Sequence, residues 1–230
     1  MPKKMDILYE DKNLLIINKP SKLLTISTEK ENYRTLYHEA SQYVKKQYPK
    51  NKVFIVNRLD KDTSGIVVFA KNEILKKQLQ KDWNNLAVVR EYRAIVEGKM
   101  PKPKDTLKNR LYEDKTLQVH ISKTNNGELA ITEYKVINYK HTYSYLQILI
   151  YTGKKNQIRV QLSAIGHPII GDKKYGAKRN PIGRMGLHAS YLELKVPGYK
   201  ETIKINAKIP KEFEEIFEVK NNGKTPKSNS

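Results

Sequence analysis

A chain of 230 residues, 38% hydrophobic and 30% charged, has room for one large domain or two small ones, and its apolar residues cluster in short runs that can build a core. With 44 Lys and Arg against 24 Asp and Glu it carries a formal charge of +20, which favours a polyanionic partner, nucleic acid or an anionic membrane, and binding that weakens steeply with salt. The absence of cysteine excludes disulfides, iron–sulfur clusters and thiolate zinc sites, the first twenty residues hold no signal-peptide core, and the longest apolar segment, Leu146–Tyr151, is too short to cross a bilayer, so a cytoplasmic protein is expected.

Ile7–Tyr9 and Leu14–Ile17 read as short strands around the turn Glu10-Asp11-Lys12-Asn13, closed by Lys19-Pro20. Leu36, Ala40, Tyr43, Val44 and Gln47 recur at helical spacing, predicting a helix over roughly Tyr33–Tyr48 that Pro49 stops. Two β-branched and aromatic runs, Val53–Val56 and Ile66–Ala70, bracket the polar loop Asn57-Arg58-Leu59-Asp60-Lys61-Asp62-Thr63-Ser64-Gly65. A second helix follows, with Leu75, Leu79, Trp83 and Leu86 on one face. The chain then turns β-rich: Tyr92–Glu97, Leu107–Tyr112, Leu117–Ile121, Ile131–Tyr139 and Tyr145–Tyr151, with a turn at Asn125-Asn126-Gly127. Gln157–Ile165 is a short helix with Ile158, Leu162 and Ile165 on one face, ended by Gly166 and Pro168. Leu187–Leu194 and Thr202–Ile209 are further strands, and Pro210 opens a last helix carrying Phe213, Ile216 and Phe217. The pattern predicts an α+β fold: a long mixed, mostly antiparallel sheet with a few flanking helices.

Chemistry concentrates in four segments. In the loop after Val56, Asp60 stands among Arg58 and Lys61, where a carboxylate stays ionised and can serve as nucleophile or base. Tyr92 opens a buried strand face; it is either a plain core tyrosine or a ring on which a nucleobase stacks. Arg159 falls in the first turn of the helix after Thr152, where the helix dipole disfavours a cation; a carboxylate would offset this, and Asp60 is a candidate. Lys154 and Lys155 just before it either meet phosphates or form a solvated basic turn. In Gly166-His167-Pro168-Ile169-Ile170-Gly171-Asp172-Lys173-Lys174-Tyr175-Gly176 the glycines permit turns, and His167 reads as structural. The five histidines lack metal-ligand spacing and no glycine-rich nucleotide loop follows a strand, so neither a metal nor a nucleotide cofactor is indicated.

Taken together, these segments resemble the RluA-like family of RNA pseudouridine synthases. The family pattern H-R-L-D-x-x-T-S-G with an apolar strand and Ala-Lys is matched by Asn57 to Lys71; the family tyrosine lies in a K-x-Y-x-A-x-V-x-G run, matched by Tyr92 to Gly98; T-G-R-x-H-Q-I-R-x-H-L by Thr152 to Leu162; and G-H-P-I-x-G-D-x-x-Y-G by Gly166 to Gly176. Ile7-Leu8-Tyr9-Glu10-Asp11, Asn18-Lys19-Pro20 and Leu187-His188-Ala189 also look like family segments, and the resemblance runs from about Asp6 to Phe217.

It implies the pseudouridine synthase catalytic fold in one domain over residues 1–219, without an S4 RNA-binding domain, and a disordered basic tail over 220–230. The implied reaction isomerises uridine in ribosomal or transfer RNA to pseudouridine, exchanging the C1′–N1 bond for C1′–C5 with no redox change, metal or cofactor. Asp60, Tyr92 and Arg159 are the implied catalytic residues: Arg159 pairs with Asp60, Tyr92 stacks on the uracil, and Arg58 fixes the loop or fills the gap left by a flipped nucleotide. Substrate contacts are implied for Arg58, Thr63, Lys154, Lys155, Gln157 and Leu187. Asn57, Lys154, Lys155, Asn156 and Gln161 depart from the family pattern, at positions where RNA contacts are expected. A monomer is the default expectation. The rival reading is a non-catalytic RNA-binding or ribosome-assembly protein on the same scaffold; a DNA-binding regulator lacks a basic recognition helix, and a methyltransferase lacks a cofactor loop.

Overall fold

Strand-forming runs dominate the chain, and they join edge to edge. In the computed structural model, which describes residues 5–27, 35–124, 126–140 and 142–218, the strands are β1 (Ile7–Glu10), β2 (Leu14–Lys19), β3 (Phe54–Ile55), β4 (Ser64–Ala70), β5 (Ala87–Glu97), β6 (Lys104–Glu113), β7 (Val119–Ile121), β8 (Glu128–Lys140), β9 (Tyr143–Ile150), β10 (Leu187–Leu194) and β11 (Ile203–Asn206). They form one sheet in the order β1-β2-β4-β10-β5-β9-β8-β6-β7, with β3 on β4 and β11 on β10. All pairs among the described residues are antiparallel except β4–β10, which is parallel. The helices are α1 (Leu36–Gln47), α2 (Glu73–Lys81), α3 (Trp83–Leu86), α4 (Gln157–Ala164) and α5 (Lys211–Glu215), none of them long and apolar enough to cross a membrane. This is the expected mixed, mostly antiparallel sheet with few helices. Tyr33 at the expected start of the first helix, Asn125 of the hairpin turn and the tail from Lys220 lie outside the described residues.

The residues that build β4 explain its central place. Every residue from Ser64 to Ala70 is buried, the mark of a strand covered on both faces. Ile66 and Val68 pack with Leu75 and Leu79 of α2, while Val67 and Phe69 pack with Leu36, Ala40 and Val44 of α1. Beyond β10, Ala94, Val96, Leu146 and Ile148 of β5 and β9 receive Ile158 and Leu162 of α4.

Several elements differ from expectation. The second helix breaks at Asp82 (φ −128, ψ 32), so Trp83 and Leu86 lie in the separate turn α3, packed against the same cluster as Leu75. Leu117 has a left-handed φ of 62 and cannot join a strand, so β7 begins at Val119. Ile165 is exposed because α4 ends at Ala164. Strand β5 starts at Ala87, earlier than its alternation suggests, because β10 pairs with it back to Leu194↔Ala87.

The parallel β4–β10 junction depends on one glycine. Gly65 has φ +114, and a Cβ there would lie 2.2 Å from the Ala189 carbonyl oxygen. Gly65→Ala is therefore expected to cost about 3 kcal/mol or more, through strained backbone and steric overlap combined. Urea unfolding checks this: a variant with the wild-type midpoint would mean the junction has slack that its geometry does not display.

Candidate active site

The loop that carries Asp60 is tied down carbonyl by carbonyl. Thr25 Oγ1 donates to Leu59 O (2.8 Å) and accepts from Leu59 N (3.2 Å). The Asp60 carbonyl accepts from Thr63 N (3.2 Å), closing a turn. Ser21 Oγ donates to Asp62 O (2.7 Å). Lys19, fully buried, donates from Nζ to Leu23 O (2.7 Å), Lys61 O (3.0 Å) and Pro20 O (3.1 Å). Burial lowers the Lys19 pKa, and although the charges of Asp60 and Asp62 push it back up, it stands at about 7. The backbone carbonyls from Leu59 to Asp62 are thus all held, and the Asp60 side chain projects from a fixed base.

Asp60 meets Arg159 in a cleft of about 1010 Å³ that both residues line. Arg159 Nη1 lies 2.8 Å from Asp60 Oδ2. The other Asp60 oxygen has no hydrogen-bond partner among the described residues, and the side chain keeps 35% of its surface exposed. The expected pairing is therefore present across 99 residues of sequence.

Arg159 has a second, stronger partner that its sequence neighbourhood did not disclose. Its Nε and Nη2 grip the two carboxylate oxygens of Asp172 at 2.7 and 2.8 Å, a bidentate contact on a side chain only 1% exposed. Nη1 also donates to Asn156 Oδ1 (3.0 Å), and the guanidinium stacks over Tyr175, whose hydroxyl accepts from Asn156 Nδ2. Asn156 reaches both because its backbone is left-handed (φ 52) at the helix start. Burial alone would lower the Arg159 pKa; the hydrogen bonds to Asp172 and the charge of Asp60 outweigh it and hold the pKa above its ordinary value. A signal for Asp172 did exist: it is the single acidic residue between Gln157 and Ser190, in a stretch containing an arginine that needs a counter-charge.

Tyr92 stands in a row across the sheet with Ala189 and Gly65, through the Tyr92↔Ala189 and Ala189↔Gly65 pairs. Two residues with little or no side chain leave space beside its half-buried ring. The Tyr92 hydroxyl has no hydrogen-bond partner among the described residues; burial pushes its pKa up to about 12, Arg90 pulls it down and Asp60 pushes it further up. Tyr92 therefore remains a neutral phenol at physiological pH, able to stack and to donate. Leu187, buried, supplies an apolar wall of the cleft with Ile158.

Other expected contacts are corrected or narrowed. Gln157 is not a free substrate contact: its Oε1 accepts from Thr152 Oγ1 and Lys154 N, and its Nε2 donates to Ile131 O and Thr132 Oγ1, so its amide is spent inside the protein. Lys154 and Lys155 line the cleft but are ion-paired with Glu128 and Glu113. Thr63 is buried and contributes through its backbone N–H to the turn at Asp60. Arg58 is exposed at the cleft and makes no hydrogen bond or ion pair among the described residues, so it does not fix the loop. Three of the departures from the family pattern also turn inward. Asn57 Oδ1 accepts from Val68 N (2.7 Å), Asn156 serves Arg159, and Gln161, fully buried, ties α4 to Thr132, Leu107, Asn109 and Ala130. These residues join elements of the fold, and Asn57 and Asn156 line the cleft as well.

Comparison with known proteins bears on the family and the fold. Residues 13–164 match the family model described as RNA pseudouridylate synthase. The chain is 33% identical over 214 residues to the uncharacterized RNA pseudouridine synthase YhcT of Bacillus subtilis, covering 92% of this chain and 71% of that protein. It is 29% identical over 229 residues to ribosomal large subunit pseudouridine synthase D of Escherichia coli, covering 94% and 70%. Among solved structures, human RNA pseudouridylate synthase domain containing 4 superposes with a TM-score of 0.74 at 24% identity over 91% of this chain and 90% of that one. Human RNA pseudouridylate synthase domain containing 1 also gives 0.74, at 21% identity over 90% and 84%. At these identities the structural likeness speaks for the fold.

Proposed function

This chain belongs to the RNA pseudouridylate synthase family, of the RluA type, and from that premise we propose that it isomerises particular uridines of structured ribosomal or transfer RNA to pseudouridine, with Asp60 as the essential carboxylate and no cofactor. The observation that carries this reading is the 2.8 Å contact between Asp60 and Arg159 in an open cleft beside Tyr92. The reaction breaks C1′–N1, turns the uracil and forms C1′–C5; C5 loses a proton and N1 gains one, so atoms and charge balance. Asp60 has three routes: attack on C1′, removal of the C2′ proton, or addition to the base. Each uses the carboxylate oxygen that Arg159 leaves unbound, and Arg159 fixes the other. Reaching the base requires extruding the nucleotide, which costs a few kcal/mol, offset by stacking on Tyr92 and by contacts to phosphates. Arg58, exposed at the cleft, is placed to occupy the gap in the helix.

Release of tritium from RNA labelled with [5-³H]uridine tests the reaction, with ribosomal and transfer RNA assayed separately. Release from one of them is expected; release from neither, together with identical pseudouridine maps in a deletion strain and its parent, would refute the assignment. Tyr92→Phe is expected to retain stacking while losing the hydroxyl, lowering kcat by about ten- to a hundredfold with KM little changed. A wild-type rate in that variant would remove the hydroxyl from the mechanism.

A further inference from the structure

Arg90 lines the cleft with a guanidinium that has no counter-anion among the described residues. Its residue surface is 7% exposed, yet no carboxylate lies within ion-pair distance among the described residues. Nη1 is used: it donates to Asn84 Oδ1 at 2.9 Å. Nε is buried without any partner. Nη2 likewise has no hydrogen bond among the described residues and, unlike Nε, is not sealed from the cleft. Nε and Nη2 share one edge of the guanidinium plane. That same edge is the one with which Arg159 grips both oxygens of Asp172.

The position of this edge is set by the sheet. Arg90 and Tyr92 are two apart on β5, so they share a face, about 7 Å from one another along the strand. Both line the cleft that holds Asp60. Burial lowers the Arg90 pKa and the neighbouring Tyr92 acts on it, which places the two groups within electrostatic reach. Gly153, on the opposite side, leaves the guanidinium its space: a Cβ there would come within 3.3 Å of Nη1. A buried arginine without a counter-charge is costly, and an anion meeting Nη2 from the cleft would supply that charge. A neutral uracil carbonyl would satisfy one donor and none of the charge.

We propose that the guanidinium of Arg90, through Nη2 at the cleft, binds a phosphate of the RNA strand next to the nucleotide that lies over Asp60. This rests on the RNA reading above and adds to it a specific anchor: the phosphate is held one pleat away from Tyr92, fixing how far the strand enters the cleft when the base is extruded. Arg90 is then a positioning residue, acting through the backbone of the substrate.

Binding of an unmodified in vitro transcript of ribosomal RNA to the full chain, measured by fluorescence anisotropy across about 50 to 200 mM salt, tests this. Arg90→Met is expected to weaken binding roughly tenfold at the low-salt end. It should also make the slope of log affinity against log salt shallower by about 0.7 to 0.9, the share of one phosphate. Arg90→Lys should keep the wild-type slope and lose less affinity. Because the buried arginine has no counter-charge among the described residues, Arg90→Met should melt no lower than wild type. A Met variant that melts far below wild type would show that Arg90 serves the fold, and a folded Met variant with an unchanged slope would show that it meets no phosphate; either overturns the proposal. Wild-type tritium release is read separately: its absence would defeat the catalytic assignment while leaving the salt slopes interpretable, whereas an active wild type with unchanged slopes would defeat only the role of Arg90.

Discussion

Asp60→Asn should abolish pseudouridine formation, by at least about ten-thousandfold, while RNA affinity stays within about tenfold of wild type. The substitution keeps the shape of the side chain and its ability to accept from Arg159 Nη1, which lies 2.8 Å from Oδ2. It removes the negative charge and replaces one carboxylate oxygen with an amide nitrogen. An amide is neither a useful nucleophile nor a base at neutral pH, so every route open to Asp60 closes together. Affinity, by contrast, should come mostly from cations meeting phosphates, and a net charge of +20 changes by only one unit. The loop itself should hold, because its carbonyls are bound by Thr25, Lys19, Ser21 and the Thr63 N–H and not by the Asp60 side chain. Tritium release and anisotropy on the same preparation separate the two effects. Residual turnover within a hundredfold of wild type would move the chemistry to another group.

Asp172→Asn is expected to have the second largest effect, and it acts at a distance from the substrate. Arg159 sits in the first turn of α4, where the helix dipole is unfavourable to it, with its side chain only 11% exposed. Asp172 neutralises it bidentately from a position 1% exposed. Removing that charge leaves a buried guanidinium with Asp60 as its remaining anion. Breaking a buried pair costs roughly 3 to 5 kcal/mol, which for a chain of this size lowers the melting temperature by about 10 °C. The catalytic consequence should fall on kcat, by ten- to a hundredfold, with KM little changed, because the geometry of Asp60 is disturbed and the phosphate contacts are not. A thermal melt and steady-state kinetics check both halves. If the variant is as stable and as active as wild type, Asp60 alone suffices to hold Arg159.

The segments that carry Asp60, Tyr92 and Arg159 were legible because their signals are local. Val53–Val56 and Ile66–Ala70 read as strands from neighbouring residues, and the loop between them is polar for reasons visible in nine positions. The pairing of Asp60 with Arg159 could also be anticipated, since a cation in a helix's first turn asks for a carboxylate. Less legible were the residues whose role depends on who arrives opposite them. Lys19 looked like the end of a strand and proved to be a tether for three carbonyls. Asn57, Asn156 and Gln161 are also joints within the fold, which their sequence neighbourhood did not disclose. Gln157 followed the same pattern, its amide wholly engaged by Thr152, Lys154, Ile131 and Thr132.

The sequence by itself determined the class of fold, most of the strands and helices, the family and the segments that carry Asp60, Tyr92 and Arg159, because hydrophobic periodicity and motif spacing are properties of adjacent residues. Only the tertiary structure decided which carboxylate chiefly neutralises Arg159, how the Asp60 loop is anchored, and which polar residues face inward. It also decided that the guanidinium of Arg90 lies beside Tyr92 with no counter-charge among the described residues. Those outcomes follow from closing the sheet through the parallel β4–β10 pair, where Gly65 meets Ala189. That closure brings Asp60 against Arg159 from 99 residues away and Ser64 against His188 from 124. A side chain's partner is fixed by burial and hydrogen-bond satisfaction at such contacts, and no local spacing encodes it.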